Sequence, residues 1–556
     1  MEGSAPSAQQ TLNDVKSVAV IGAGVSGILA TRYLREAGLD VTVFERNRQA
    51  GGIWLVSFPL PRRTRCGFPI FPITVMAGRE QLLWMPYYGD RKSPEPACPA
   101  NKPLETAWDL CPWYDLSRTR ELPDIIDARS HGEWLTRHAP PGPCYDGLTN
   151  NFSVLAMEIK DHSWPWEIPE VTPERPDHAS EWTSHRRILQ HLTNAASRFG
   201  LEDCVHYRTL VERVYNNGGK WVVKTSTLAT TGDDRERYRI QRRDWEFDAV
   251  VVACGHYNTP RLPDIPGLQA WRTQFPNRVH HSQSYRRPQT YADQNVLLVG
   301  GGTSSTEIAR ELGPVVRKMY QSGRGSVFDL PVEFLPDNCE RVGQIAIFNT
   351  IVEPEASARG TVDDAELRPI SSSVLMADGT VLYDIHQVIV CTGYHYAYPF
   401  MPYLHADDLE VDTKALVTDG TCTLNLDRDM FYIPDPTLCF VGISLFIATF
   451  SFFEYQAMAI AAVLSGKASL PNQAEIQHRY AQRLARRGPT KFMNARMDEE
   501  VTYVEQLVKW LNEEDPARNV RGFSQQWHAV RDAGKLAKIR ARFAREKAER
   551  EFQDQL

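Results

Sequence analysis

The stretch SVAVIGAGVSGILATRYLREAG, residues 17–38, decides the fold. It begins with an apolar run that predicts a buried strand, passes through Gly22, Gly24 and Gly27, and continues with apolar residues at helical spacing. The segment DVTVFE follows at once, so the whole predicts a strand–helix–strand unit. In such a unit the three glycines permit a tight turn, a close approach of the backbone to a pyrophosphate, and close packing of helix on strand.

The second strand of this unit ends in Glu45. A carboxylate at that place accepts hydrogen bonds from a ribose 2′-hydroxyl, so the first unit suits a nucleotide with a free 2′-hydroxyl, such as FAD. The alternative is an ordinary glycine-rich turn without a ligand. The residues predicted to contact FAD in this unit are Gly22, Gly24, Val25, Ser26, Gly27, Glu45 and Arg46.

A second stretch, VLLVGGGTSSTEIARELG at residues 296–313, repeats the order of strand, glycine turn and helix. Gly300 and Gly302 occupy the first two glycine places, and Ser305 replaces the third. Because serine is small, it still permits the helix to pack closely on the strand. The stretch therefore predicts a second dinucleotide-binding unit.

The strand after the second glycine loop, VVRKMYQ, runs into Ser322, Gly323 and Arg324 without an acid. An acid there would repel a 2′-phosphate, whereas a serine and an arginine would bind one. The second unit therefore predicts NADPH, unless Arg324 is merely a surface turn residue. The residues predicted to contact NADPH are Gly300, Gly302, Thr303, Ser304, Ser305, Ser322 and Arg324. Two such units in one chain indicate hydride transfer from NADPH to a bound flavin.

The composition of the 556-residue chain is that of a globular protein with two or more domains. Its apolar fraction is 42%, its charged fraction is 24%, and its net charge of −7 gives no support for nucleic-acid binding. The ten cysteines form no C-x-x-C pair and no Cys/His cluster with zinc spacing, so neither a metal site nor a disulfide reductase is predicted. The N-terminal MEGSAPSAQQ lacks the apolar core of a secretory signal, and we expect a soluble cytoplasmic protein.

One segment is long and apolar enough to be compared with a membrane span: LCFVGISLFIATFSFFEYQAMAIAAVL, residues 438–464. Glu454 and Gln456 lie within it, and a carboxylate at the centre of a bilayer costs roughly 2.5–3.5 kcal/mol on insertion scales. Gly442 also follows a strand-like run. The segment therefore predicts a buried strand, a turn and a buried helix, and no transmembrane anchor.

Five further motifs occur along the chain: ERNRQAGGIW at 45–54, YDGLTNN at 145–151, FPNRVHHSQSY at 275–285, VCTGYHY at 390–396 and FSFFEYQA at 450–457. Together with the two glycine loops they resemble the flavin-containing monooxygenase family, most closely its fungal branch, over most of residues 18–466. The resemblance implies that Gly52, Ile53 and Trp54 contact the flavin nucleotide. Asn277 stands where the family fingerprint has glycine, and asparagine is the residue that best tolerates a left-handed turn.

The resemblance also implies an α/β fold with two Rossmann-like dinucleotide-binding domains. The FAD-binding domain would comprise residues 15–261 and 394–470, with a Pro- and Trp-rich insertion at about 55–143. The NADPH-binding domain, residues 262–393, would be inserted into it. The charged residues 471–556 would form a C-terminal helical extension.

The chemistry that the resemblance implies belongs to the cofactors. NADPH reduces FAD, O2 adds to the flavin C4a atom to give a hydroperoxide, and a soft nucleophile such as nitrogen or sulfur takes up the distal oxygen. Asn151 falls on the asparagine of the family motif Y-x-x-L-x-T-N, which would donate a hydrogen bond to the flavin–oxygen adduct and contact NADP+. The adjacent Asn150 leaves a one-residue register open, and a structural turn asparagine is the alternative.

Other functions remain open at this point. Baeyer–Villiger monooxygenases use the same cofactors, but their fingerprint ends in tryptophan where this chain has Tyr285. A flavin-dependent NADPH oxidase or redox sensor would bind both nucleotides without oxygenating a substrate. His281 and Tyr285 match the fingerprint but are interpreted first as residues that fix a loop between the domains. The substrate is expected to be a small or peptide-derived molecule with a nucleophilic nitrogen or sulfur, as in fungal secondary metabolism.

Overall fold

The computed structural model describes ten segments of the chain: residues 10–55, 125–127, 138–166, 182–231, 234–326, 328–351, 368–406, 414–490, 493–496 and 499–532. Most of the insertion predicted at 55–143 lies outside the described residues. So does the charged segment GKLAKIRARFAREKAEREF near the C-terminus, for which the sequence predicts a helix.

Eight α-helices occur in the described segments. They are α1 (Val25–Glu36), α2 (His185–Arg198), α3 (Leu268–Gln274), α4 (Thr303–Leu312), α5 (Thr449–Leu464), α6 (Gln473–Arg487), α7 (Glu500–Glu514) and α8 (Gln525–Asp532).

Twenty-one short strands accompany these helices in the same segments. They are β1 (Ser17–Ile21), β2 (Asp40–Phe44), β3 (Ile125–Asp127), β4 (Val205–His206), β5 (Thr209–Asn216), β6 (Trp221–Thr231), β7 (Asp234–Phe247), β8 (Ala249–Val252), β9 (Thr259–Pro260), β10 (Val279–His281), β11 (Asn295–Val299), β12 (Lys318–Ser322), β13 (Cys339–Val342), β14 (Ile345–Phe348), β15 (Val374–Met376), β16 (Val381–Leu382), β17 (Gln387–Val390), β18 (Tyr394–His395), β19 (Leu426–Asp427), β20 (Phe431–Tyr432) and β21 (Leu438–Phe440).

The first large sheet has the strand order β19–β20–β21–β8–β1–β2–β4. Strands β21, β8, β1, β2 and β4 run parallel, while β20 and β19 are antiparallel additions at one edge. Strand β1 lies in the interior with both faces covered, since Val20 packs into one apolar cluster and Ile21 into another. The carboxyl ends of β1 and β2 bring the first glycine loop and Glu45 to the same edge of this sheet.

The second sheet is entirely parallel, in the order β10–β17–β11–β12–β13. Strand β11 leads into α4 and β12 returns beside it, as β1, α1 and β2 do in the first sheet. The chain enters this sheet after β8 and leaves it before β19. Between the sheets β9 and β18 pair antiparallel, with Pro260 opposite Tyr394 and Thr259 opposite His395. The predicted α/β fold is thus confirmed.

The apolar segment 438–464 contains β21 and the buried helix α5, which packs against α1. No helix among the described residues is both long and apolar enough to span a bilayer. Helices α6, α7 and α8 follow α5, and Trp527 of α8 is fully buried beside the loop that precedes α5.

Candidate nucleotide sites and active site

The first glycine loop can be built only from glycine at two positions. Gly22 has a φ of +104°, and a Cβ atom there would lie 2.7 Å from the carbonyl oxygen of Ala253. A Cβ atom on Gly27 would lie 1.9 Å from the carbonyl oxygen of Gly22, so only glycine lets α1 approach β1 this closely. Helix α1 begins after Gly24 without a side-chain cap, which leaves backbone N–H groups at its N-terminus for an anion.

The segment GGIW meets this loop from the other side. A Cβ atom on Gly52 would lie 2.9 Å from the Cα atom of Gly24, so the two backbones pass each other with no side chain between them. The amide of Gly51 donates to the carbonyl oxygen of Ala23 at 2.9 Å and fixes this approach. The two segments therefore form a narrow backbone cradle of the kind that a pyrophosphate requires.

Glu45 lies at the end of β2 with 4% of its surface exposed. Its Oε2 atom accepts from the amide of Ala23 at 2.7 Å, and its Oε1 atom accepts from the backbone and side-chain nitrogens of Asn47 at 2.8 Å each. These bonds hold the carboxylate against the glycine loop. A carboxylate has about four acceptor positions, so one remains for a ribose hydroxyl.

A cavity of about 1420 Å³, part of it continuous with solvent, extends from this loop. The backbone cradle forms part of its wall, and apolar side chains that include Phe450 and Phe453 of α5 form another part. Cradle, acid and apolar wall together fit an FAD molecule. The residues predicted to contact FAD that border this cavity are Gly22, Gly24, Val25, Ser26, Glu45, Arg46, Gly52, Ile53 and Trp54.

His256 is a cavity residue that sequence reasoning missed. Its Nδ1 atom lies 3.2 Å from the carbonyl oxygen of Gly442, and its Nε2 atom is buried without a hydrogen-bond partner among the described residues. Burial lowers the pKa of His256 to about 4, so the ring is neutral at pH 7, and Nδ1 must carry the proton that Gly442 accepts. Nε2 is then an unused acceptor in the cavity wall. The only sequence signal was its position directly after Gly255 at the end of β8.

The second glycine loop has the same construction as the first. Gly300 has a φ of +121°, and a Cβ atom there would lie 2.6 Å from the carbonyl oxygen of Cys391. Helix α4 begins at Thr303 after Gly302, again without a side-chain cap, so its first N–H groups, including that of the exposed Ser304, are available to a phosphate.

Ser305 does more than replace a glycine. It is fully buried, donates to the carbonyl oxygen of Gly302 at 3.0 Å and accepts from the side chain of Gln321 at 2.8 Å. Gln321 in turn accepts from Arg341 of β13 at 2.7 Å. The serine therefore ties the start of α4 to the two strands beside it.

The end of β12 differs from the prediction, because the Ser322 hydroxyl is already bonded within the protein. The hydroxyl of Ser322 donates to the carbonyl oxygen of Gly343 at 2.8 Å, and the Arg324 side chain is exposed. An acid that sequence reasoning missed, Asp329, folds back to this point. Its carboxylate lies 2.6–2.9 Å from the place of a Cβ atom on Gly301 and 2.8 Å from that on Gly323. Asp329 therefore places a carboxylate beside the loop that the sequence predicts to hold the nucleotide phosphates.

The two neighbouring asparagines of YDGLTNN differ in their bonding. Asn150 is 1% exposed, its Oδ1 atom accepts from the amide of Thr183 at 2.7 Å, and its Nδ2 atom donates to the carbonyl oxygen of Phe152 at 2.6 Å. The side chain of Asn151 is exposed and has no hydrogen bond with any described residue. Asn150 holds the turn, and the amide of Asn151 is available to a ligand.

His281 and Tyr285, which match the family fingerprint, form hydrogen bonds within the protein. His281 accepts from the amide of Gln283 at 3.1 Å and lies 3.0 Å from the carbonyl oxygen of Gly393, and Tyr285 donates to Glu311 at 2.7 Å. Each of these contacts joins neighbouring loops or elements of the fold.

The polar residues of α5 are likewise bonded within the protein. Glu454 accepts from Tyr33 at 2.7 Å and from the amide of Lys160 at 2.9 Å. The side chain of Gln456 lies between the Gly442 amide and the Tyr503 hydroxyl at 3.4 Å each. These contacts join α5 to the elements that surround it.

An aromatic pair connects the two nucleotide-binding parts. Phe446, in the loop before α5, and Phe328, in the loop after β12, stack with ring centroids 4.8 Å apart and an interplanar angle of 8°. Phe446 is 38% exposed and has a φ of +60°, which is a rare conformation for a bulky side chain. The carbonyl oxygen of Phe328 lies near Gly302, so the pair lies beside the second glycine loop.

Comparison with known families gives a match over most of the chain. The Flavin-binding monooxygenase-like family matches residues 172–330 and 349–517, more than half of the protein. The NAD(P)-binding Rossmann-like domain family matches residues 20–72, which include the first glycine loop.

Two fungal relatives align over nearly their whole length. The flavin-containing monooxygenase ustF2 of Aspergillus flavus is 35% identical over 522 residues, which cover 93% of this chain and 96% of that protein. The flavin-containing monooxygenase iboF of Amanita muscaria is 29% identical over 534 residues, 90% of this chain and 88% of that protein.

Among solved structures, S-allyl-L-cysteine S-oxygenase from Allium sativum shares the fold, with a TM-score of 0.61 and 21% identity over 95% of this chain and 99% of that chain. The glycine loops, the acid that follows the first of them and the full-length match to fungal relatives have one common explanation. The chain belongs to the flavin-containing monooxygenase family and is an oxidoreductase that uses FAD and NADPH.

Proposed function

We propose that this monooxygenase transfers one oxygen atom of O2 to a nucleophilic nitrogen or sulfur of a small or peptide-derived molecule, as in N-hydroxylation or S-oxygenation. The observation that carries the proposal is the chemistry of the cavity wall. Burial holds His256 neutral and raises the pKa of the Cys254 thiol to about 11, so neither side chain is a charged group at pH 7. A soft nucleophile needs no such group, because bound FAD supplies the oxygen-activating chemistry once NADPH has reduced it.

The protein's part is then to bind, orient and exclude water. We assign the FAD pyrophosphate to the cradle of Gly22, Gly24, Gly27 and Gly52, and the FAD ribose to Glu45. The NADPH phosphates are assigned to the N–H groups that follow Gly300 and Gly302. We still assign Arg324 to the 2′-phosphate of NADPH. Ser322 is not assigned as a donor to that phosphate, because its only hydroxyl proton is already donated to Gly343.

Asn151 is proposed as the catalytic residue that donates a hydrogen bond to the oxygen-bearing flavin and to bound NADP+. Its exposed, unbonded amide supports this role, whereas the amide of Asn150 is already used on both sides. Without this donor, oxygen activated at bound FAD would be released as hydrogen peroxide instead of being passed to a substrate.

The test compares Asn151→Ser with Asn150→Ser in purified, FAD-loaded enzyme. We expect Asn151→Ser to oxidise NADPH at a similar rate, with hydrogen peroxide in place of oxygenated product. Asn150→Ser should instead lower stability by about 1–3 kcal/mol, because it strands the buried amide of Thr183. Product is measured as a mass gain of one oxygen on amines and thioethers, alongside NADPH and peroxide.

Three outcomes would replace the proposal. An unchanged ratio of product to NADPH in Asn151→Ser removes that residue from catalysis. Conversion of ketones to esters or lactones, with amines and thioethers untouched, identifies a Baeyer–Villiger monooxygenase. Peroxide equal to NADPH with every substrate class identifies an NADPH oxidase or redox sensor.

A further inference from the structure

A second pocket, separate from the FAD cavity, lies between the β19–β20 turn and helices α6 and α7. It encloses about 1050 Å³, part of it open to solvent, and it shares no lining residue with the FAD cavity. We call it the arginine pocket after the four side chains Arg428, Arg479, Arg483 and Arg496 that line it. No part of the proposed reaction uses it.

The lining of the arginine pocket has more cationic than acidic side chains. The four arginines and Lys509 are five cationic lining side chains, and the only acids in the lining are Asp427 and Glu513. A third acid, Asp429, lies beneath the pocket with 1% of its surface exposed. It accepts from Arg483 and from Arg496, and Arg496 also bonds to Glu499.

Three of the arginines have unused donors, since the Nε atom of Arg483 is also buried without a partner among the described residues. Arg479 pairs with Asp427 through Nη2 alone, at 3.1 Å to each carboxylate oxygen, and its Nε atom is buried without a partner among the described residues. The closest acid to Arg428 is also Asp427, at 3.9 Å, which is too long for a hydrogen bond. Arg428 instead lies over the ring of Trp510, 4.5 Å from its centre.

The turn that presents Arg428 is strained. The amide of Met430 bonds to the carbonyl oxygen of Asp427 at 2.9 Å, and the two central residues, Arg428 and Asp429, have φ angles of +53° and +59°. Hairpin turns of this kind normally carry Asn-Gly, because residues with a Cβ atom pay roughly 1–2 kcal/mol each in the left-handed region. Hydrogen bonds and ion pairs around the turn hold it in this conformation and keep the Arg428 guanidinium at the pocket.

We propose that the arginine pocket binds the phosphate group of a small molecule. A guanidinium offers two parallel N–H donors to phosphate oxygens, and here Arg428 and Arg479 both have donors to spare. The five cationic lining groups exceed Asp427, Glu513, Asp429 and Glu499 together by one, so a bound anion would meet net positive charge. Lys509 at the exposed rim adds a further donor.

The test is calorimetric titration of inorganic phosphate into FAD-loaded protein saturated with NADP+, in chloride buffer of constant ionic strength. Filling both cofactor sites restricts phosphate to other sites and makes the result independent of the proposed reaction. We expect saturable binding that weakens about tenfold or more in Arg479→Gln and in Arg428→Asn, since a charge-assisted bond is lost. Asparagine is chosen at 428 because it tolerates the left-handed backbone.

The matched control is Arg486→Gln, on the same helix as Arg479 but outside the pocket lining and 65% exposed, which should bind phosphate like the unaltered protein. Equal loss in all three variants, or no heat beyond the chloride baseline, overturns the proposal. Acetate binding as tightly as phosphate overturns the assignment to a phosphate group.

A second measurement needs no variant. Phenylglyoxal modifies accessible arginines, and the modified sites can be located by mass spectrometry. Phosphate should protect Arg428 and Arg479 while Arg486 continues to react. Protection of all three to the same extent, or of none, contradicts the proposed site.

Discussion

At the scale of single residues, Asp329 changes the interpretation of the second glycine loop most. Its carboxylate reaches both Gly301 and Gly323, so it stands beside the strand end where a 2′-phosphate is expected. It also accepts a hydrogen bond from the amide of Ser326 at 3.2 Å, which fixes its position. Because the second glycine loop is the predicted NADPH site, we expect this charge to weaken the binding of NADPH.

We therefore expect Asp329→Asn to lower the KM for NADPH. Removing one repulsive charge about 4 Å away is worth about 1 kcal/mol, or roughly fivefold, where water screens the two charges fully. Asparagine keeps the acceptor for Ser326, so the loop should stay in place. The measurement is initial-rate kinetics with NADPH and with NADH, and the NADH value should change little.

Asp337→Asn is the control for this prediction. Asp337 is exposed and precedes β13, so it lies at the edge of the parallel sheet opposite the glycine loop. The substitution Asp337→Asn changes the net charge by the same amount, and we expect the KM for NADPH to stay unchanged. Equal effects of the two substitutions, or a higher KM in Asp329→Asn, would show that the nucleotide does not pass near Asp329.

At the scale of elements, Asp429 joins the β19–β20 turn to the C-terminal helices. Burial by itself would raise the pKa of Asp429, but Arg483 and Arg496 outweigh it and hold that pKa well below its usual range. A carboxyl group with a lowered pKa stabilises the fold above about pH 4 and loses that contribution as the pH falls. The contacts that Asp429 makes with the C-terminal part of the chain should therefore contribute less to stability as the pH falls below about 4.

Asp429→Asn is expected to lower the free energy of unfolding by about 3–5 kcal/mol, because it leaves two largely buried guanidinium groups without their carboxylate. Denaturant titration, followed by the release of FAD and by circular dichroism, measures the loss. Asp244→Asn breaks the exposed pair with Lys224 and should cost less than about 1 kcal/mol. A similar cost for both substitutions would mean that solvent compensates the two arginines.

At the scale of the whole molecule, the Phe328–Phe446 stack is a contact between the two nucleotide-binding parts. We propose domain boundaries at residues 15–261 with 394–470 for FAD and 262–393 for NADPH, and the stack then lies across their interface. Its two rings come from loops at the carboxyl edges of the two sheets. The contact is therefore placed to depend on how closely the domains approach.

Phe446→Gly and Phe446→Ala should both raise the KM for NADPH, by roughly two- to tenfold, since an aromatic pair is worth about 0.5–1.5 kcal/mol. The two variants should differ in stability by about 1 kcal/mol in favour of glycine, which adopts a φ of +60° without strain. Kinetics and thermal melting measure the two effects. Phe446→Tyr keeps the stack and serves as the control, and an unchanged KM in both ring-deleting variants would contradict an interdomain role.

The sequence predicted the parts of this protein that depend on short stretches of chain. Gly22 and Gly300 were recognisable because the backbone at each place demands glycine, and α5 because Glu454 interrupts an otherwise apolar run. Parts formed by distant residues were not recognisable. Asp329 reaches the glycine loop through a turn, and the arginine pocket draws its four arginines from residues 428 to 496, whose meeting depends on helix packing.

The pairing of β9 with β18 has a mechanical consequence. The two chain segments that connect the sheets lie side by side and are hydrogen-bonded to each other. We expect them to resist twisting more than a single connecting segment would. Gly255 and Gly393 adjoin these connecting segments with φ angles of +66° and +84°, and the carbonyl oxygen of Gly393 accepts from the amide of Arg261 at 2.8 Å. We therefore expect any relative movement of the two sheets to be a bending about this pairing rather than a rotation along it. The NADPH loop would travel along a single arc relative to the FAD cavity.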